Sequence, residues 1–276
     1  MRNVLSFFII AAGICFWVSC NAKNKENSNM QANISSAVQS GKIIPADVYA
    51  VGDDSLYITL VGHASLMLEY KGKIIHIDPY SQVADYSVLP KADLILLTHE
   101  HQDHFDMSAI NMIKKEDTNY FFSYSCYDGL ANMVDTLKND LVLRNYNHIS
   151  YNGVVISAFP AYNMVHKNPQ GEFYHPKGRG NGYLLNFGSD ALKVYVAGDT
   201  ENIPEMKNSD LFSADIAFLP KNIPYTMDDD MFVDAAKTLG AKVLYPYHFS
   251  EFDENKIAQA LEGTGIELKL RPMKNN

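Results

Sequence analysis

Four consecutive apolar residues, Leu94–Leu97 in ADLILLTHEHQDHFD, run straight into a cluster of imidazole and carboxylate side chains. A strand that is apolar at successive positions is covered on both faces. It therefore belongs inside a layered domain rather than in a sheet with one wet side. The cluster that follows holds His99, His101, Asp103 and His104. Where a strand passes into a loop, residues two apart face the same side, so His99 and His101 can approach one ion together. Asp103 and His104 come where the chain turns and can face a second ion. Imidazole suits zinc, and carboxylate widens the choice towards manganese or iron. A solvated histidine-rich loop is the bland alternative. It explains poorly why four ligand-type residues crowd into the six positions His99–His104 at a strand end.

The surrounding pattern is mixed α/β. LYITLVGHASLMLEY alternates and is rich in β-formers, KGK turns it, and IIHIDPY reads as another short strand. MSAINMIKK has helical spacing, with Asp106 or Ser108 available as a cap. NYFFSYS reads as a strand, YDGLANMVDTL as a helix, and LVLRNY and VVISAFPAYN as strands. A polar loop from Met164 to Asn181 interrupts, and a loop of that length inside a domain is usually functional or disordered. The second half then repeats the style. YLLNFG, LKVYVAGDT, DIAFLP, KVLYPYHF and IELKLR are strands, while DDMFVDAAKTLG and NKIAQALEGT are helices. Each half has antiparallel-type strands followed by strand–helix alternation. Two such sheets packed face to face with helices outside make a four-layer αβ/βα sandwich of two mixed β-sheets. At 276 residues and 47% hydrophobic content the chain can bury such a core as one domain.

The N-terminus reads differently. Arg2 precedes an apolar run from Val4 to Val18, short for a membrane span, which closes at WVSC. A small residue before Cys20 resembles the lipobox of bacterial lipoproteins, although Trp17 stands where an aliphatic residue is usual. The reading is a signal peptide over residues 1–19, lipidation at Cys20, a polar tether over 20–50, and a catalytic body over 51–276. An ordinary secretory signal or a plain membrane anchor are the alternatives. The expected location is the bacterial cell envelope, with the membrane as partner through the lipid anchor. Cys126 is then left without a partner for a disulfide or a thiolate metal site, and is expected to be a small buried residue. The formal charge of -9 becomes -10 once Arg2 is removed, since -9 - 1 = -10. An acidic chain with no basic block is a poor binder of nucleic acid, but charge does not exclude a small-molecule substrate, even an anionic one, since a metal can supply local positive charge.

H-x-H-x-D-H over His99–His104 resembles the signature of the metallo-β-lactamase-fold hydrolases, and the resemblance extends from about Leu56 to the end. VAGDT places Asp199 like the family aspartate that bridges two metals. YPYHF places His248 like the last metal histidine, and IHIDP places Asp78 like the aspartate that orients metal histidines. VGHAS, with His63, is similar to the branch containing L-ascorbate-6-phosphate lactonase and N-acyl phosphatidylethanolamine phospholipase D, where that histidine lies near the metals. One position departs. Asn163 stands where the family has a further strand-end histidine, with His175 the leading substitute as metal ligand or substrate contact and His166 behind it. LPKNIPYTMD would supply a rim loop at Asn222–Met227.

The resemblance implies a hydrolase with two divalent ions, zinc first and manganese or iron as alternatives. It would use a metal-bound hydroxide on an ester, lactone, amide or phosphoester. Asp103 is then a ligand and a proton shuttle, and His63 or His175 a hydrogen-bond donor to the substrate. A diiron redox enzyme of the same fold is a rival, but those proteins usually carry Glu where His101 stands and need a flavin partner. A nuclease lacks its basic exosite here. A non-enzymatic metal-binding lipoprotein is the remaining alternative.

Overall fold

A computed structural model describes residues 46–129, 137, 140–208 and 213–273. Its first half opens as an antiparallel meander, β1 (Asp47–Val51), β2 (Asp54–Gly62), β3 (Ser65–Tyr70) and β4 (Lys73–Ile77). Three parallel strands follow, β5 (Leu94–Leu97), β6 (Asn119–Phe122) and β7 (Asp140–Val142). The second half repeats this plan. β8 (His148–Tyr151), β9 (Val154–Ala161), β10 (Gly180–Phe187) and β11 (Leu192–Val196) are antiparallel. β12 (Ile216–Lys221), β13 (Val243–Phe249) and β14 (Glu267–Leu268) continue in parallel. Each half forms a seven-stranded sheet in sequential order.

Parallel neighbours need crossovers. These carry α1 (Met107–Ile113), α2 (Tyr124–Gly129), α3 (Asp229–Leu239) and α4 (Glu254–Ala260). The helix starts follow capping rules. Asp106 accepts from Ser108 N at 2.7 Å, Asp228 from Met231 N at 2.8 Å and Asp253 from Lys256 N at 3.0 Å. Helix α3 stops at Gly240, whose φ of 60° is the left-handed conformation glycine adopts freely.

Side-chain alternation explains the apolar run that opens the sequence argument. Leu94 and Leu96 point into the central core between the sheets, together with Ile58, Leu185, Val196 and Phe218. Ile95 and Leu97 point the other way and pack with Ala109, Ile110 and Ile113 of α1. On the far side, Leu219 and Leu244 meet Phe232, Ala236 and Ile257 of α3 and α4. The result is the four-layer α/β sandwich expected from the sequence.

Several boundaries differ from expectation. The first sheet begins at Asp47, not residue 51, so residues 47–50 of the expected tether form an edge strand. The Asp47 carboxylate is held by Arg271 at 2.8 and 3.0 Å and by Tyr245 at 2.7 Å, contacts made by residues about two hundred positions away. Strand β6 ends at Phe122, because the Ser123 hydroxyl accepts from Cys126 N at 3.5 Å and starts α2. Residues 130–136 of the expected YDGLANMVDTL helix, like the signal and most of the tether, lie outside the described residues, and Leu137 is buried but not helical. The hairpin β8–β9 was not expected, though Asn152-Gly153 at its turn, with φ of 48° and 80°, is a strong hairpin signal. The long loop ends earlier than expected, since Gly180–Gly182 already pair with Phe159–Ala161. Cys126 is fully buried, as its composition suggests.

Candidate metal centre

Both sheets deliver their polar residues to one rim. Asp78 follows β4, Thr98 and His99 follow β5, Asn163 follows β9, and Asp199 follows β11. His248 sits near the end of β13, and His63 occupies the turn between β2 and β3. His63, Asp78 and His248 have φ of 51°, 46° and 48°, left-handed values that non-glycine residues rarely adopt. Such conformations cost about 1–3 kcal/mol each and gather at functional sites. Behind Asp199, Gly198 has φ +65°, and a Cβ there would lie 2.6 Å from Asn181 O. The close approach that aims Asp199 is therefore open only to glycine.

Three overlapping groups of side chains have ligand atoms close enough to share an ion: His99, His101 and His175; His99, His104 and Asp199; and His63, Asp103, His104 and His248. Nε2 of His99 lies 3.0 Å from Nδ1 of His101. The Asp199 carboxylate is 3.4 Å from His104 Nε2, 3.3 Å from His175 Nε2 and 3.3 Å from His248 Nε2. The Asp103 carboxylate is 2.8 Å from His63 Nε2, 3.6 Å from His248 Nε2 and 3.8 Å from His104 Nε2. Nε2 of His104, His175 and His248 and Oδ1 of Asp199 are buried, yet none makes a hydrogen bond within the protein. Buried polar atoms without partners are costly. The three imidazole atoms each lie within 3.4 Å of the Asp199 carboxylate, and this donor chemistry fits divalent cations.

The supporting contacts fix which way these rings point. Asp78 Oδ2 receives His104 Nδ1 at 2.8 Å and Thr98 Oγ1 at 2.6 Å, while its Oδ1 receives Thr98 N at 2.8 Å. Asn222 lies behind His248, with Nδ2 3.3 Å from its Nδ1. Asn163 does not point at the cluster itself. Its Oδ1 lies 2.7 Å from His175 Nδ1 and accepts from His175 N at 2.9 Å, which turns His175 Nε2 towards Asp199. Asn163 Nδ2 in turn donates to Glu201 Oε1 at 2.9 Å. The fully buried Glu201 carboxylate also accepts from the backbone N–H groups of Met164, Val165 and His166, each at 2.7 Å. His166, the weaker candidate from sequence, pairs with Glu201 at 2.8 Å and joins none of the ligand groups.

Electrostatics follow from the buried Asp199 and the partly exposed Asp103, each with several imidazoles close by. Burial disfavours the charged form of Asp103 and Asp199, but neighbouring imidazoles, His104 and His248 foremost, outweigh it and hold both acids well below the usual range. Burial lowers His175 to about 4. Burial also lowers His248, but Asp199 and Asp103 reverse this and raise it to about 10. Protonated imidazole thus supplies the positive charge these acids demand, a demand that bound cations would meet instead.

A pocket of about 390 Å³ opens over the cluster, lined by His63, His101, Asp103, His175, Asp199 and His248 together with Tyr174, Asn222, Tyr225, Phe249 and Ser250. Of the wall residues, the sequence reading singled out only the Asn222–Met227 stretch. Glu201 and Tyr174 carried no local signal beyond their residue type.

Comparison with known proteins agrees with this geometry. Residues 57–248 match the β-lactamase superfamily domain. A UPF0173 metal-dependent hydrolase of Methanosphaerula palustris is 30% identical over 217 residues, 75% of this chain and 92% of that one. Another, from Nanoarchaeum equitans, is 28% identical over 216 residues, covering 76% and 94%. Among solved structures, a presumed metal-dependent hydrolase of Parabacteroides distasonis superposes with a TM-score of 0.74 at 42% identity, covering 83% of this chain and 99% of that one. The chain belongs to the β-lactamase superfamily and, within it, to the UPF0173 metal-dependent hydrolases.

Proposed function

We propose that the protein is a binuclear hydrolase that cleaves an ester, lactone, amide or phosphoester bond in a small molecule, tethered to the cell envelope by a lipid at Cys20. The observation that carries the reading is the set of partnerless buried atoms on His104, His175, His248 and Asp199, the three imidazoles each within 3.4 Å of the Asp199 carboxylate. In this assignment His99, His101 and His175 hold one ion, and Asp103, His104 and His248 hold the other. Asp199 lies between the two sets. Zinc suits this donor set best, with manganese or iron as alternatives. Divalent ions in such a site supply a hydroxide nucleophile near neutral pH and polarise the oxygen of the bond under attack.

The chain's own groups do the rest. Asp78 and Asn163 keep His104 and His175 in one tautomer and orientation. Asp103 Oδ2 and His63 Nε2, 2.8 Å apart at the pocket wall, share a proton that they deliver to the departing group. The half-open pocket admits a small molecule, and the acidic chain offers no basic surface block for nucleic acid. The kinship of VGHAS with the lactonase and phospholipase D branch supports His63 in this role.

Elemental analysis of the purified mature body, beside a His101→Ala variant, tests the reading. Two zinc or manganese ions per chain, with loss in the variant, are expected. Iron accompanied by redox activity would move the assignment to oxidative chemistry, and a metal-free protein would end it. For the anchor, Cys20→Ala is expected to lose acyl label and leave the membrane fraction. A variant still membrane-bound without label would remove the lipid from the account.

A further inference from the structure

The residues that surround the cluster, rather than the cluster itself, limit what can be cleaved. Apart from the ligand-type side chains, the pocket is lined by Tyr174, Tyr225, Phe249, Asn222 and Ser250. The rings of Tyr174 and Tyr225 meet edge to face, with centroids 4.9 Å apart. They form a wall on the side where the 164–179 loop meets the Asn222–Met227 loop. Tyr225 is 45% exposed and lines the pocket, so part of its ring faces the opening instead of the core. The wall is anchored, since the Tyr225 carbonyl accepts from Asn163 Nδ2 at 2.9 Å and Tyr174 directly precedes His175.

An aromatic wall at an open mouth favours a flat or apolar group, because ring pairs add about 0.5–1.5 kcal/mol beyond the area they bury. From this lining we infer that the substrate carries an aromatic or apolar group, bound against Tyr174 and Tyr225, beside the bond that is cleaved. This substrate class rests on the hydrolase reading above.

Paired substrates differing in one group test it on metal-loaded full-length protein. Methyl phenylacetate is compared with methyl acetate, and benzyl methyl phosphate with dimethyl phosphate. The aromatic member of whichever pair is cleaved is expected to have a kcat/KM at least tenfold higher, mostly through KM. Tyr174→Ala/Tyr225→Ala should bring that ratio towards unity. Tyr174→Phe/Tyr225→Phe, which keeps both rings, should preserve it. Equal rates within the pair, or a ratio unchanged in the alanine variant, would overturn the assignment.

Binding provides an arm that does not depend on turnover. Phenylacetone, an uncleavable ketone of similar shape, should bind by calorimetry at least tenfold tighter than acetone, and the alanine pair should abolish the difference. If no substrate is cleaved while phenylacetone still binds in this way, the hydrolase reading fails and the aromatic wall stands. Equal binding of the two ketones sinks the wall.

Discussion

Asn163 stands where a strand-end histidine would be expected, and His175, twelve positions later, brings its nitrogen to Asp199 instead. The amide orients the imidazole, which Glu201 makes possible by holding Asn163 in place. Removing a contact that orients a metal-binding histidine typically costs 10–100-fold in metal affinity. Asn163→Ala should therefore weaken metal binding by about that factor, read by chelator competition, and unchanged affinity would dissociate Asn163 from the site. Asp103→Ala should cut hydrolysis by about 10²-fold or more even at saturating metal, the usual scale for a positioned proton donor. Full activity with metal bound would remove Asp103 from proton transfer. His99, His101, Asp103 and His104 were legible because their relation is local: four positions on one strand exit. Glu201 was not, since its partners Asn163–His166 lie more than thirty residues away. Nothing around a lone acid after GDT announces them.

At the scale of elements, each site residue depends on a strand that is braced on its outer side. Helix α3 packs Phe232, fully buried, against the outer face of the second sheet. Phe232→Ala should cost about 3–5 kcal/mol in denaturant unfolding, the range for a large aromatic removed from a core. A loss below about 1 kcal/mol would mean that the α3 layer is not tightly packed. The strand runs and helix caps were readable because alternation and capping are properties of neighbouring residues. Strands β1 and β8 were not read as strands. β1 is an edge strand with exposed and half-buried positions, secured by Arg271 and Tyr245 from the far end of the chain. β8 alternates exposed and half-buried residues in the same way, and its Asn-Gly turn was a local signal left unused.

At the scale of the whole molecule, stability should depend on both pH and metal. His76 on β4 is fully buried, with Nε2 3.0 Å from Pro90 O, and burial lowers its pKa from 6.5 to about 4. Between those values the unfolded chain binds the proton and the folded one does not, so stability falls as pH drops from about 6.5 to 4. Across the shift this amounts to about 3 kcal/mol. In matched denaturant titrations, His76→Gln should lose correspondingly less stability over that window. An identical pH profile would mean that His76 is already neutral or paired in the unfolded chain. Chelation should lower the melting temperature by several degrees, since ligand at one hundred times its Kd contributes about 2.7 kcal/mol. No shift would mean that metal adds nothing to the folded state. The sequence by itself determined the mixed α/β class and the four-ligand motif, because each follows from short-range spacing and periodicity, while Asp199 and His248 were placed through the family resemblance of VAGDT and YPYHF. The tertiary structure decided which histidine meets Asp199, which acid braces the loop behind it, and which aromatic rings frame the mouth. Those pairings join residues from opposite sheets and distant loops, and a linear pattern carries no record of how two sheets close on each other.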